Sequence, residues 1–294
     1  MMRSLRRYAV ITPARNEEEN LPRLAHALTT QTLKPVCWLI IDDGSTDDTA
    51  RVAFELARSW PWIHVQAGGG GVGTDRGGPI VRAFNRGIES LRLVPDVVVK
   101  LDADVSFEPD YFERLMQAFT DDSTLAIASG SAYELEDGRW HQRHMTDTHV
   151  WGASRAYRWP CLSKLLPLDE EMGWDGLDVL KANMNGWRTR TLTDLPFRHH
   201  RREGERDGAR WRAWAAQGRA SHYMGYHFWY LAARSLHHSR REPAALAMIA
   251  GYLAAAAKRR PHCDDDAVRA HLRSRQRLRD LPRRALEAHG RGPA

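Results

Sequence analysis

Strand and helix signals alternate through the first 130 residues, and this narrows the available folds more than any other feature. Apolar runs of strand length stand at Tyr8–Ile11, Trp38–Ile41, Ile63–Val65, Val97–Leu101 and Leu125–Ser129. Helical segments lie between them. Asn16 is placed to N-cap a helix through Leu28, with Glu17, Glu18 and Glu19 favouring the dipole of its first turn. Ser45-Thr46-Asp47-Asp48 has the spacing of a capping box, Asp replacing Glu, and opens a helix to about Ser59. Further helices are expected over about Ile80–Ser90 and Tyr111–Phe119. Such alternation implies an α/β class: a mostly parallel, Rossmann-like sheet with helices on both faces. Ligands of such sheets sit beyond the carboxyl ends of the strands. The loops 12–17, 42–48, 66–79 and 102–106 are therefore the ones to search.

The rest of the chain reads differently. The stretch 131–196 is less regular; a helix from about Gly176 to Asn185 should stop at Gly186, and a strand is expected over Thr189–Leu192. Beyond about residue 205 the pattern is helical, near 207–217, 221–239, 243–259 and 265–288. The expected division is a domain over 1–204 and an all-helical extension over 205–294. Charge follows a similar boundary: from Phe197 onward 21 Lys and Arg stand against 9 Asp and Glu, while the preceding part holds 22 against 28. Aromatics interleave with the basic residues, among them Trp211, Trp214, Tyr223, Tyr226, Phe228, Trp229, Tyr230 and Tyr252. Packing of the extension on the first domain is the leading reading, and peripheral contact with a membrane the second. Nucleic acid is set aside because no binding motif accompanies the charge. Cys37, Cys161 and Cys263 have no metal or redox spacing. The basic start, Met1–Arg7, precedes too short an apolar stretch for a signal peptide, and no run reaches the roughly 18 apolar residues of a membrane span. A cytoplasmic setting is expected, with any membrane contact at the inner face.

Asp102-Ala103-Asp104 follows directly on the strand Val97–Leu101. Two carboxylates one residue apart at a strand end suit a hard divalent cation, Mn²⁺ or Mg²⁺, which takes oxygen ligands and bridges to phosphates. Other acidic groups, Glu17 and Asp42-Asp43, follow other strands, and a parallel sheet gathers all of them at one edge. Such a rim suits a nucleotide and its metal. The run Gly68–Gly73 formally fits G-x-G-x-x-G, but it follows the third strand and opens no helix at once, so a dinucleotide site is not expected.

Together, Thr12-Pro13-Ala14-Arg15-Asn16-Glu17, Ile40-Ile41-Asp42-Asp43-Gly44-Ser45-Thr46-Asp47-Asp48-Thr49 and Leu101-Asp102-Ala103-Asp104 resemble glycosyltransferase family 2 in order and spacing, over about residues 7–200. The resemblance implies a GT-A fold, a nucleotide-diphosphate sugar donor and, usually, inversion at the anomeric carbon. It places Pro13, Arg15 and Glu17 in the nucleotide pocket, with either Asp42 or Asp43 at the base. Asp102 would face the ribose or a metal-bound water, and Asp104 would ligate the metal. His199 or His200 would add a ligand, and Arg201 and Arg202 would cover the diphosphate. Asp175, eleven residues before Gly186, matches the family's catalytic base. Trp174 stands where the family usually has Glu, so Asp178 or Glu171 is an alternative base. The basic residue usual before the helix carrying Asn85 and Gly87 is missing, and Arg76 or Arg82 would replace it.

The leading expectation is a metal-dependent glycosyltransferase acting on an acceptor hydroxyl of a glycan, a lipid-linked sugar or a small molecule. A catalytically degenerate sugar-nucleotide-binding scaffold is the alternative. A nucleotidyltransferase ranks lower, for want of a Gly-rich, basic loop straight after the first strand.

Overall fold

The structure is a computed structural model that describes residues 5–69, 77–143, 150–201 and 210–276. Nine strands form one sheet: β1 (Tyr8–Ala14), β2 (Cys37–Asp42), β3 (Ile63–Ala67), β4 (Val97–Leu101), β5 (Val105–Phe107), β6 (Leu125–Glu136), β7 (Arg139–Gln142), β8 (Ser154–Arg158) and β9 (Arg188–His199). Their spatial order is β3-β2-β1-β4-β8-β6-β9-β5, with β7 hairpinned onto β6. From β3 to β4 every pairing is parallel. Beyond β4 the sheet is mixed: β8 runs antiparallel to both β4 and β6, and β9 is parallel to β6 but antiparallel to β5.

The runs of β1, β2 and β4 are mostly apolar because both faces are covered. Tyr8 and Val10 of β1 face one core with Leu21 and Leu24 of α1 (Leu21–Thr29) and Phe112 and Leu115 of α4 (Tyr111–Asp121). Ala9 and Ile11 face a second core with Val81 and Phe84 of α3 (Gly78–Ser90), Leu162 of α5 (Trp159–Leu165) and Trp174 of α6 (Trp174–Met184). Helix α2 (Thr49–Ser59) adds Ala53 to the first core. The α/β class and both-sided covering match the sequence expectation, and α6 ends as expected before Gly186, whose φ is +79°.

The expected caps do not form. Asn16 has a left-handed φ of 56°, and α1 begins at Leu21. Its side chain accepts a hydrogen bond from Thr46 N at 2.8 Å, while its own N–H donates to Ser45 Oγ at 3.0 Å. Ser45 in turn donates to Asp42 Oδ1 at 2.5 Å, and α2 begins at Thr49. The local cap signals are thus spent on tying the loop after β1 to the loop after β2.

The middle of the chain carries strand β8, which the sequence reading did not place. The extension forms α7 (Arg210–Tyr223), α8 (Phe228–Ser239), a 3₁₀ turn at Pro243–Leu246, α9 (Ala247–Ala257) and α10 (Asp266–Ser274). The expected helix over 221–239 is interrupted by Gly225 at φ +78°, which ends α7 and turns the chain. The tail of the helix expected over 265–288 lies outside the described residues. Leu177 and Leu180 of α6 pack with Met224, Cys263, Val268 and Leu272, so the extension docks on α6. Among the described residues, no helix is long and apolar enough to cross a membrane.

Helices α7 and α9 cross at paired glycines. A Cβ on Gly218 would lie 1.9 Å from Met248 O, and one on Gly251 2.0 Å from Ala215 O. Gly218→Ala is expected to cost about 1–3 kcal/mol in chemical denaturation through overpacking; unchanged stability would contradict this close crossing.

Candidate active site

Parallel pairing of β1 with β2 and β4 brings their carboxyl ends to one rim. Ala14 aligns with Asp42, and Asp42 with Ala67. Asp43 N donates to Ala14 O at 2.8 Å, and Gly68 N to Asp42 O at 2.5 Å. A Cβ at Gly68 would come within 2.8 Å of both Cα and Oδ1 of Asp43, so the loop after β3 lies directly on that buried aspartate. Pro13 is half-buried at the end of β1, and Arg15 is exposed on the following loop.

Asp102 and Asp104 leave the end of β4, while β9 returns antiparallel to β5 with His199 opposite Val105. This register sets ligand atoms of Asp102, Asp104 and His199 within 4.8 Å of one another. His199 Nε2 lies 3.5 Å from Asp104 Oδ1, and its Nδ1 lies 3.4 Å from Glu134 Oε1. Burial works against charge on the ring, but the bonds to Asp104 and Glu134 overcome it and raise His199 to about 10. Burial likewise opposes charge on Asp104, yet His199 and Arg201 together hold its carboxyl below the ordinary carboxylate range. At Asp102 burial prevails over the attraction of Lys100, and its carboxyl is shifted up.

His200 takes another direction. Its Nε2 lies 2.7 Å from Ser106 Oγ, and its ring meets the Trp140 ring edge-on at 5.4 Å. Burial, followed by the charge of Arg23, pushes it down to about 4. His199 therefore joins the carboxylates and His200 does not.

Arg201 joins two of the motifs. Its guanidinium forms a bidentate pair with buried Glu17, at 2.9 and 3.0 Å, and Nη1 lies 3.4 Å from Asp104 Oδ2. Such fork-to-fork pairs are strong and directional. Arg82 reaches Glu170 at 3.6 Å. Arg76 and Arg202 lie outside the described residues.

The two aspartates of α6 have different surroundings. Asp175 is half-buried in the first turn, and its backbone carbonyl accepts from Arg155 Nη2 at 2.7 Å. Asp178 is buried and bonded to Arg155 at 2.6 and 3.1 Å and to the Tyr157 hydroxyl at 2.5 Å. Burial pushes Asp178 up to about 6, against the pull of Arg155. Its oxygens are thus committed to an internal ion pair. Glu171 is exposed, and its carbonyl accepts from Trp174 N at 3.2 Å.

Three charged groups of this region went unread in the sequence: Lys100, Glu134 and Arg155, all buried. Lys100 interrupts an otherwise apolar strand run, a signal that was available. Glu134 meets His199 only once β6 and β9 are paired, and Arg155 meets Asp178 only once α6 packs against β8.

A profile of Glycosyl transferase family 2 matches residues 9–170. The chain belongs to that family. Polyprenol monophosphomannose synthase of Mycolicibacterium smegmatis is 37% identical over 133 residues, 44% of this chain and 46% of that protein. An undecaprenyl-phosphate 4-deoxy-4-formamido-L-arabinose transferase of Pectobacterium carotovorum is 34% identical over 120 residues, 40% of this chain and 35% of that one. The chain spans less than half the length of these curated relatives. Among solved structures, the mannosyltransferase PcManGT of Pyrobaculum calidifontis, in complex with GDP-Man and Mn²⁺, superposes with a TM-score of 0.59 at 16% identity, over 96% of this chain and 84% of that one. S. aureus TarS 1-349 with UDP-GlcNAc gives a TM-score of 0.55 at 20% identity, over 73% and 65% of the two chains. These likenesses establish a GT-A-like fold.

Asp178→Ala is expected to cost about 3–5 kcal/mol in chemical denaturation, because it strands the buried Arg155 guanidinium. Asp175→Asn should leave the unfolding midpoint within about 0.5 kcal/mol of wild type, as for a substitution outside the core. Equal losses would contradict the contrast between the two aspartates.

Proposed function

We propose that this chain transfers a sugar from a nucleotide-diphosphate sugar to an acceptor, aided by Mn²⁺ or Mg²⁺, with inversion at the anomeric carbon. The observation that carries this reading is the convergence of Asp102, Asp104 and His199 within 4.8 Å at the rim that also holds Glu17, Asp42 and Asp43. The donor set fits the metals: two carboxylates and one imidazole suit Mn²⁺, and the carboxylates alone suit Mg²⁺. A bound cation would supply positive charge against the leaving diphosphate.

The other roles fall to this chain's own groups. Asp42 and Asp43, with Pro13 and Arg15, line the edge where base and ribose would rest. Glu17 holds Arg201, whose guanidinium stands beside Asp104 and is positioned to donate to the diphosphate. Asp175 is the proposed base. It takes the proton of an acceptor hydroxyl as the acceptor oxygen bonds to the anomeric carbon and the bond from that carbon to the diphosphate oxygen breaks. Attack opposite the leaving group gives inversion. Asp178, paired with Arg155, orients the first turn of α6 rather than taking the proton. The residues 1–204 form the proposed catalytic unit and 205–294 its helical extension. The names of the two curated relatives point to polyprenyl phosphate itself as a second acceptor class; there the attacking oxygen is an ionised phosphate oxygen, and Asp175 would have no proton to take. The basic, aromatic extension is suited to meet such an acceptor at a membrane surface.

The test is release of nucleoside diphosphate from UDP-, GDP- and dTDP-sugars with Mn²⁺ or Mg²⁺, with polyprenyl phosphate, glycan and simple sugar acceptors. One donor should respond, and only with metal. Asp104→Ala should lose turnover by at least about 100-fold, the upper end of what removing even a supporting group costs a metal site. Full activity in that variant would sink the metal role. Nucleotide binding without turnover on every acceptor would favour a sugar-nucleotide-binding scaffold instead.

A further inference from the structure

Lys100 is 2% exposed, in a strand whose other residues are Val97, Val98, Val99 and Leu101. A buried ammonium is costly unless its charge and hydrogens find partners. It has three. Nζ donates to Asp102 Oδ1 and, at 2.9 Å, to Gly152 O, and it lies 5.8 Å from the centre of the Trp174 ring. Across the antiparallel ladder Lys100 stands directly opposite Arg155. Like charges in that relation destabilise a sheet. The same Trp174 ring lies 5.5 Å from the Arg155 guanidinium, and Asp178 neutralises that second cation. Trp174 therefore serves two buried cations, one tied to Asp102 and the other to the first turn of α6 through Asp175 O and Asp178.

We propose that Lys100 is a positioning residue for the metal–diphosphate site: clamped by Gly152 O and the Trp174 ring, its ammonium fixes Asp102 by one oxygen and leaves the other to face the cation. The inference rests on the metal reading of Asp102, Asp104 and His199. It also gives Trp174 a task at the position where the family resemblance leads one to expect Glu. The ring holds the lysine by its face, so the negative charge beside Lys100 comes from Asp102 alone among its three partners.

The sign of one measurement separates positioning from simple charge. As a mere positive charge beside a ligand, Lys100 would oppose a divalent cation, and its removal would tighten metal binding. As a positioning group its removal should loosen binding, by about 10–100-fold, as for other groups that orient metal ligands. Mn²⁺ binding to the full chain, followed by the electron paramagnetic resonance of free Mn²⁺ with and without UDP or GDP, reads this directly. Lys100→Met is expected to weaken Mn²⁺ at least about 10-fold while far-ultraviolet circular dichroism stays unchanged. Trp174→Leu should shift affinity the same way by less, and Trp174→Phe should recover most of the loss. Equal or tighter Mn²⁺ binding by folded Lys100→Met would overturn the proposal and leave the metal site standing. If Lys100→Met does not fold, Trp174→Leu decides, and unchanged affinity there would overturn it. A wild-type chain that binds no Mn²⁺ under either condition would overturn the metal reading and this proposal with it.

Discussion

Strand β1 is flanked on both sides by parallel partners, and the rim of the sheet depends on that pairing. The register of β1 against β2 puts Ala14 beside Asp42, and its register against β4 runs from Tyr8–Val97 to Ile11–Lys100. A parallel sheet aligns strand ends without further help. Hence Glu17, Asp42, Asp43, Asp102 and Asp104, scattered over almost ninety positions of sequence, converge on one edge. A slip of one residue in β4 would send its side chains to the opposite faces. Both faces are packed, by Phe112 and Leu115 on one side and Phe84 and Trp174 on the other, so the register is firmly held.

Gathering carboxylates at one edge creates repulsion that the chain must offset before any ligand arrives. It does so in part with cations: Arg201 on Glu17, Lys100 on Asp102, His199 on Asp104, and Arg143 on the neighbouring Glu134 at 3.2 Å. These cations come from β4, β9 and the segments beyond β7 and β9, so the mixed half of the sheet supplies much of the charge that stabilises the parallel half. The antiparallel strand β8 between β4 and β6 makes this possible. It brings Arg155 and the Gly152 carbonyl to the flank of β4.

Much of this was legible in the sequence, for a physical reason. Strands buried on both faces are mostly apolar, and β1, β2 and β4 stood out because of it. The acidic residues at their ends marked the rim. What escaped notice depends on contacts across long stretches of chain. Ser154–Arg158 carries two arginines and does not read as a buried strand; Arg155 is buried because Asp178, brought up by α6, satisfies it, with Tyr157 of the same strand bonded to the same carboxylate. Asn16 and Ser45 look like helix caps locally, yet bonds between two loops some thirty residues apart claim them first. The choice between His199 and His200 follows from strand parity: adjacent residues of an extended segment point to opposite sides, and the pairing of β9 with β5 decides which turns toward Asp104.

The most direct test of the account is to locate the cation. A crystal of the full chain grown with Mn²⁺ and a nucleoside diphosphate should show an anomalous peak between Asp102, Asp104 and His199, with the diphosphate beside Arg201. A peak elsewhere, or a nucleotide bound away from the rim of β1, β2 and β4, would contradict it.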